Sequence, residues 1–355
     1  MKRVLSALCL LVAMFALTAC SSGGGKSYEL ALVTDMGTID DKSFNQAAWE
    51  SIKAYGEEHN IGYKYYQPAE KTTAAIETTI DLAVEGGAKV IVCPGYLFGV
   101  PVYNAQTKYP DVKFILLDSQ PHDEAEKDFT IKENVYPIFY SDEQSGFLAG
   151  YAAVKDGYKN LGFIGGVALP AVVRYGYGFV EGAEYAAKEM GIKDVNIKYN
   201  YSGTFLASPE VQSMAASWYN EGTELIFACG GQIGTSIMTA AEAAGGKVIG
   251  VDVDQSYESN SVITSAIKGI SVSVTDALKA CYNGNFPGGK AAMLGASSDA
   301  IGLPLETSKF NTFTEADYKA IYDKLASGEI TVKTNTDAEN VTDLGVKNVT
   351  ISYIG

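Results

Sequence analysis

The sequence predicts an α/β protein of two similar lobes, each a parallel sheet covered by helices on both faces. Two observations carry that reading. Short apolar, β-rich runs alternate with segments of helical period along the 355 residues, the pattern of βαβ units whose strands are buried on both sides. The chain also repeats itself: EGGAKVIVCPG, Glu85 to Gly95, aligns without a gap to EGTELIFACGG, Glu221 to Gly231, and KFILLD, Lys113 to Asp118, aligns to KVIGVD, Lys247 to Asp252. From cysteine to aspartate is 25 residues in one copy and 23 in the other.

Taken in order, the first strand falls at YELALV (28–33), with a helix from Ser43. Strands follow at IGYKYY (61–66), KVIVC (89–93) and VKFILL (112–117), with helices from Thr72 and about Leu97 between them. After Asp142 the alternation resumes with LGFIGG (161–166), a helix after Pro170, VNIKYNY (195–201) and a helix from Ser208. ELIFAC (224–229), a helix from Gly234 and KVIGV (247–251) continue it. Between Gly269 and Gly302 lie a helix, SVSVTDALKACYNG, and a short strand-like piece expected to cross back to the first lobe. TEADYKAIYDKLASG, from Thr314, has the Thr-Glu opening and terminal glycine of a helix with defined ends. The expected lobes are residues 28–140 with 270–300, and 141–269 with 301–355, joined by a hinge of several strands.

The N-terminus reads as an export signal over residues 1–19: Lys2 and Arg3, an apolar run from Val4 to Leu17, then small residues. LTAC, Leu17 to Cys20, resembles the lipobox of bacterial lipoproteins, which would leave a lipidated Cys20 as the new N-terminus. Gly/Ser-rich sequence up to Ser27 would be a flexible tether (20–27). Its GGGK is no phosphate loop, because the preceding strand and the full spacing are missing. Without Lys2 and Arg3 the 27 basic residues become 25 against 42 acidic, a net charge near −17. Such a surface argues against nucleic acid, whose phosphates need positive patches. Cys93, Cys229 and Cys281 remain, an odd number in no metal spacing; Cys93 and Cys229 sit in apolar runs and read as small core residues.

Catalytic signatures are missing. The two histidines, His59 and His122, stand in no H-E-x-x-H pattern, and there is no G-x-S-x-G. His59 reads as a helix-terminal residue and His122 as a solvated loop residue. The glycines of GFIGGV and ACGGQIG lack dinucleotide-loop spacing, so they read as backbone that turns and comes close to a ligand. No metal or cofactor is expected.

The remaining polar signals lie at strand ends, where ligands of such sheets bind. Asp35, Asp118 and Asp252 are acceptor-only side chains suited to hydroxyls and ring N–H groups and unsuited to phosphate; the plainer role for each is to cap the next helix. Ser43 and Gln46 form S-x-x-Q, a capping box that makes Ser43 the N-cap and starts the helix at Phe44. Phe44 either extends the buried stripe through Ala48, Ile52 and Tyr55, or offers its face at the cleft mouth to a planar ligand, a stack of roughly 1–3 kcal/mol per base. Asn45 could read the edge of a heterocycle. Lys268 and Gln232 are candidate donors to the ligand, or a solvated hinge lysine and an exposed turn residue.

In order, DDKSFNQAAWE, EQSGFLAGYAA (143–153), GFIGGVALPAVVRYGYGFVEGA (162–183), GVDVDQ (250–255) and VITSAIKG (262–269) resemble the basic membrane protein lipoproteins, including purine nucleoside receptor A-like proteins. The resemblance spans nearly the whole chain after the leader. It implies a type I periplasmic-binding-protein fold and a non-catalytic, monomeric capture subunit of an ABC importer, anchored by its lipid to the extracytoplasmic face of the cell membrane and delivering a nucleoside to a permease. It further implies that Phe44 stacks on the base, with Asp35, Asn45 and Asp118 at or beside it, and that Asp252, Lys268 and the Gly231 turn hold the ribose. The family's Phe-x-Asp in the second lobe is kept only as Phe205, with Ala207 in the aspartate's place. A sugar or small-molecule sensor of the same fold, or a nucleoside-processing enzyme, is the alternative on the residues alone.

Overall fold

The computed structural model describes residues 28–35 and 37–354. The expected leader, Cys20 and the tether lie outside the described residues. The first series is β1 (Leu30–Val33), α1 (Phe44–His59), β2 (Tyr63–Tyr66), α2 (Thr73–Glu85), β3 (Val90–Pro94), α3 (Gly99–Lys108), β4 (Lys113–Leu117) and β5 (Val135–Tyr140). Then come α4 (Asp142–Lys155), β6 (Asn160–Gly165), α5 (Pro170–Met190), β7 (Val195–Tyr201), α6 (Pro209–Asn220), β8 (Leu225–Cys229), α7 (Ile233–Ala244), β9 (Lys247–Asp252) and β10 (Val262–Lys268). The chain closes with α8 (Ile270–Tyr282), β11 (Ala292–Leu294), β12 (Ile301–Gly302), α9 (Glu315–Ala326) and β13 (Val349–Tyr353).

These strands make two sheets, ordered β11-β5-β4-β3-β1-β2 and β12-β10-β9-β8-β6-β7-β13. The inner order is the same in both, β5-β4-β3-β1-β2 matching β10-β9-β8-β6-β7. The duplicated sequence therefore corresponds to duplicated structure, with β3 beside β4 in one sheet and β8 beside β9 in the other. The pairings are parallel except that β12 runs against β10. Central β1, β3 and β8 are buried along their whole lengths, because helices cover both faces: α1 and α8 against α2 and α3 on the first sheet, α4 and α5 against α6 and α7 on the second.

Two central elements escape the periodicity reading. β5 reads VYPIFY, and Pro137 within it argues against a strand. The sheet accommodates it by register: Ile138 O accepts from Asp118 N at 2.9 Å, so Ile138 faces β4 and the nitrogen of Pro137 faces the other side. On that side β11 begins only opposite Ile138. α4 is nearly all buried, so it lacks the polar stripe that marks a surface helix. It packs on α5 through glycines at both contacts. A Cβ on Gly146 or Gly150 would lie 2.1 and 2.0 Å from the carbonyls of Tyr175 and Phe179, and one on Gly178 or Gly182 would strike α4 equally.

Between the sheets the described chain crosses three times. β5 of the first sheet leads into α4, which packs on the second; β10 of the second leads into α8, which packs on the first; β11 and β12 belong to opposite sheets. Bonds between the crossings tie them together: Ser141 N to Leu294 O at 2.8 Å and Gly269 N to Ala300 O at 2.7 Å.

Candidate functional site

The carboxyl ends of both sheets face one cleft of about 800 Å3, counted with its open mouth. In each sheet the strand order reverses between the first and third strands of its half, the point where such sheets bind ligands.

The turn from β1 into α1 is built on Asp41. Its Oδ1 accepts from the backbone of Ser43 (2.9 Å) and Gln46 (3.0 Å), and its Oδ2 from Asn45 N (3.0 Å) and Asn45 Nδ2 (2.9 Å). The carboxylate thus does the capping expected of Ser43. α1 does start at Phe44, but Ser43 makes no side-chain cap, and Gln46 Oε1 accepts from Lys42 N instead. Ser43 Oγ is turned across the cleft and donates to Asp252 Oδ2 at 2.5 Å. Asp41, two residues upstream, takes the helix N–H groups with both carboxyl oxygens, which frees the Ser43 hydroxyl for a partner on the second sheet.

The repeat shows itself again at the cleft floor. Asp118 and Asp252, aligned in sequence, both adopt left-handed backbone, φ 57° and 67°, and Gly95 and Gly231 likewise have positive φ. Non-glycine residues visit this region at a cost, mostly at functional sites. Both aspartates line the cleft, and no helix follows either strand for them to cap, since β4 leads to β5 and β9 to β10.

Lys268 stands between them. Its side chain is 2% exposed; Nζ donates to Asp118 Oδ2 at 2.6 Å and to Asp142 Oδ1 at 3.1 Å, with Asp252 Oδ1 at 3.6 Å. It also lies 4.6 Å from the Phe44 ring centroid, within cation–π range. Burial alone would lower the ammonium, but Asp118, Asp142 and Asp252 more than offset it and hold it well above the ordinary lysine value. Burial pushes the Asp118 carboxyl up to about 6 against the pull of Lys268, and pushes Glu143 to about 7. Asp118 Oδ1 and Asn45 Oδ1 are buried without a hydrogen-bond partner.

All nine residues singled out in the sequence line this cleft: Asp35, Phe44, Asn45, Asp118, Phe205, Gly231, Gln232, Asp252 and Lys268. Phe44 is half-buried and also packs on the first-sheet core, so it is both stripe and cleft wall. Phe205 comes from the opposite half, its ring laid on bare backbone: a Cβ on Gly166 would meet it at 2.3 Å. Gly166, the last glycine of GFIGG, thus makes room for the Phe205 ring. Gln232 Nε2 donates to Thr38 Oγ1 at 3.1 Å, a bond between the halves. Cys93 and Cys229 are buried and free, and Cys229 also lines the cleft.

The sequence reading passed over Asp41, Asp142, Arg174 and Tyr175. Arg174 carried a signal: it is the only arginine after Arg3, and a residue type used once, within an apolar helix, marks a specific charge partner. Among the described residues no group of His, Cys, Asp and Glu could hold a metal ion, and no helix is long and apolar enough to cross a membrane.

A two-sheet α/β chain with three crossings and a cleft between strand ends has the type I periplasmic-binding fold of solute-binding proteins. An ABC-transporter solute-binding protein from Aeropyrum pernix matches it with a TM-score of 0.77 at 20% identity, over 88% of this chain and 95% of that one. The family described as ABC transporter substrate-binding protein PnrA-like matches residues 28–336, and the chain belongs to that family. Among curated relatives, the ABC transporter nucleoside-binding protein BmpA of Lactococcus lactis is 29% identical over 93% of this chain and 99% of its own. Basic membrane protein D of Borreliella burgdorferi is 30% identical over 88% and 89%.

Proposed function

We propose that the chain is the capture subunit of an importer, lipid-anchored at Cys20 on the extracytoplasmic face, which closes two lobes around a nucleoside, preferably a purine nucleoside, and passes it to a membrane permease. The lobes are residues 28–140 with 270–300 and 141–269 with 301–355, and the protein acts as a monomer without catalysis. The observation that carries this reading is one cleft that offers an aromatic ring from each half and two buried acceptors without partners, Asn45 Oδ1 and Asp118 Oδ1. A buried acceptor left unpaired costs about 1–3 kcal/mol, so the ligand should bring N–H or O–H donors. An uncharged heterocycle stacked between Phe44 and Phe205 supplies a flat face and ring N–H groups. Its sugar supplies hydroxyls for Asp252 and Lys268. Asp35, Asp118 and Asp252 would repel a phosphate. The Lactococcus relative carries nucleoside binding in its name, which supports the same class.

Equilibrium dialysis of the full chain against adenosine, with chromatography of what is retained, tests this. Intact nucleoside at about one per chain is expected. Release of free base, or no retained nucleoside, would contradict it.

A further inference from the structure

Behind the cleft wall lies a charge pair that touches Lys268 from the hinge side. Asp142 is fully buried and stands between two cations. Its Oδ1 accepts from Lys268 Nζ at 3.1 Å, and its Oδ2 accepts from Arg174 Nη2 at 2.8 Å and Nε at 3.2 Å. The Arg174 side chain is 11% exposed. Asp142 opens α4 and Lys268 ends β10, so both sit where the chain crosses between sheets. The glycine contacts between α4 and α5 bring Arg174 to them. Neither Asp142 nor Arg174 lines the cleft, whereas Lys268 does.

An ammonium has three donors. With Oδ2 of Asp142 taken by Arg174, only Oδ1 is left for Lys268, which uses one N–H; Asp118 takes a second at 2.6 Å. Asp252 Oδ1, at 3.6 Å, is beyond hydrogen-bond reach, so two hydrogen bonds hold the ammonium and the third N–H is open to a ligand in the cleft that Lys268 lines. Without Arg174 both oxygens of Asp142 would compete for the ammonium and draw it toward the hinge. Asp118, Asp142 and Asp252 would then surround one cation.

We infer that Asp142 and Arg174 are a positioning pair: through Lys268 they place an N–H toward the ligand's hydroxyls and so set the preference for a hydroxylated over a deoxygenated ligand. The ligand named here rests on the nucleoside reading above.

The test uses the full chain and Asp142→Asn, Arg174→Met and Arg174→Lys. Calorimetry compares adenosine with 2′,3′-dideoxyadenosine, and the 1H–15N signal of the Lys268 ammonium, assigned by its loss in Lys268→Met, is followed without ligand. Wild type should prefer adenosine at least tenfold. Asp142→Asn and Arg174→Met should cut that preference below threefold, mainly by weakening adenosine, and should shift or abolish the ammonium signal. Arg174→Lys, which keeps the charge and fits the same space, should recover part of both. Equal weakening of the two ligands with an unmoved ammonium signal would overturn the proposal. If wild type binds neither ligand, the nucleoside reading fails, and the ammonium signal alone decides: unmoved by Asp142→Asn it overturns the pair, lost it upholds it.

Discussion

Acid should loosen the ligand before it loosens the fold. Asp118, buried beside Lys268, titrates at about 6, so its ionised fraction falls from nearly complete at about pH 7.5 to about one-tenth at pH 5. If the ligand donates to the carboxylate, affinity falls about tenfold over that range, or about 1.4 kcal/mol. Stability moves the other way for this group. Its folded value lies above the ordinary 3.8, so between about 4 and 6 the folded state holds more protons than the unfolded one, and acidification through 6 stabilises the ligand-free protein. Protonation of Asp118 therefore weakens binding without itself destabilising the fold. Calorimetry with adenosine at both pH values, repeated on Asp118→Asn, isolates the residue, since Glu143, near 7 and 3.8 Å from Arg174, titrates in both proteins. Equal wild-type affinities at the two pH values, or the same fall in Asp118→Asn, would rule out Asp118 as the titrating acceptor.

Other perturbations follow from the same geometry. Gly166→Ala puts a Cβ where the Phe205 ring lies, 2.3 Å away; it should weaken nucleoside binding at least tenfold by equilibrium dialysis, and an unchanged affinity would remove Phe205 from the site. Asp41→Ala should strip the start of α1 of amide protection at Asn45 and Gln46, worth about 1–2 kcal/mol for a lost cap, whereas Ser43→Ala should leave those amides protected in hydrogen exchange. Adenosine 5′-monophosphate should bind at least tenfold more weakly than adenosine in a competition assay, because the cleft is lined by four aspartates, Asp35, Asp41, Asp118 and Asp252, and one lysine.

How much of this was legible follows from what local sequence can encode. Strand and helix alternation is a local property, and the duplicated segments alone place Asp118 and Asp252 at equivalent strand ends. β5 was hidden because Pro137 violates a strand rule that its late-starting neighbour β11 makes harmless. α4 was hidden because burial on nearly every side erases helical periodicity. At the site, the capping box over Ser43 is a sound local pattern overruled by Asp41, a stronger acceptor in the same turn, and by Asp252, which lies 209 positions away in sequence. The contacts among Lys268, Asp118, Asp142 and Arg174 depend on the crossings between sheets, which no spacing along the chain reveals.

In the proposed binding mode the cleft holds a base against Phe44 while its polar groups hold the sugar. Calorimetry of wild type and Phe44→Ala against adenosine, guanosine, inosine, cytidine, ribose and riboflavin tests it most directly. Purine nucleosides should bind far more tightly than ribose and should lose at least tenfold in Phe44→Ala, consistent with a stack of roughly 1–3 kcal/mol. Ribose bound as tightly as the nucleosides, or Phe44→Ala binding them unchanged, would contradict it.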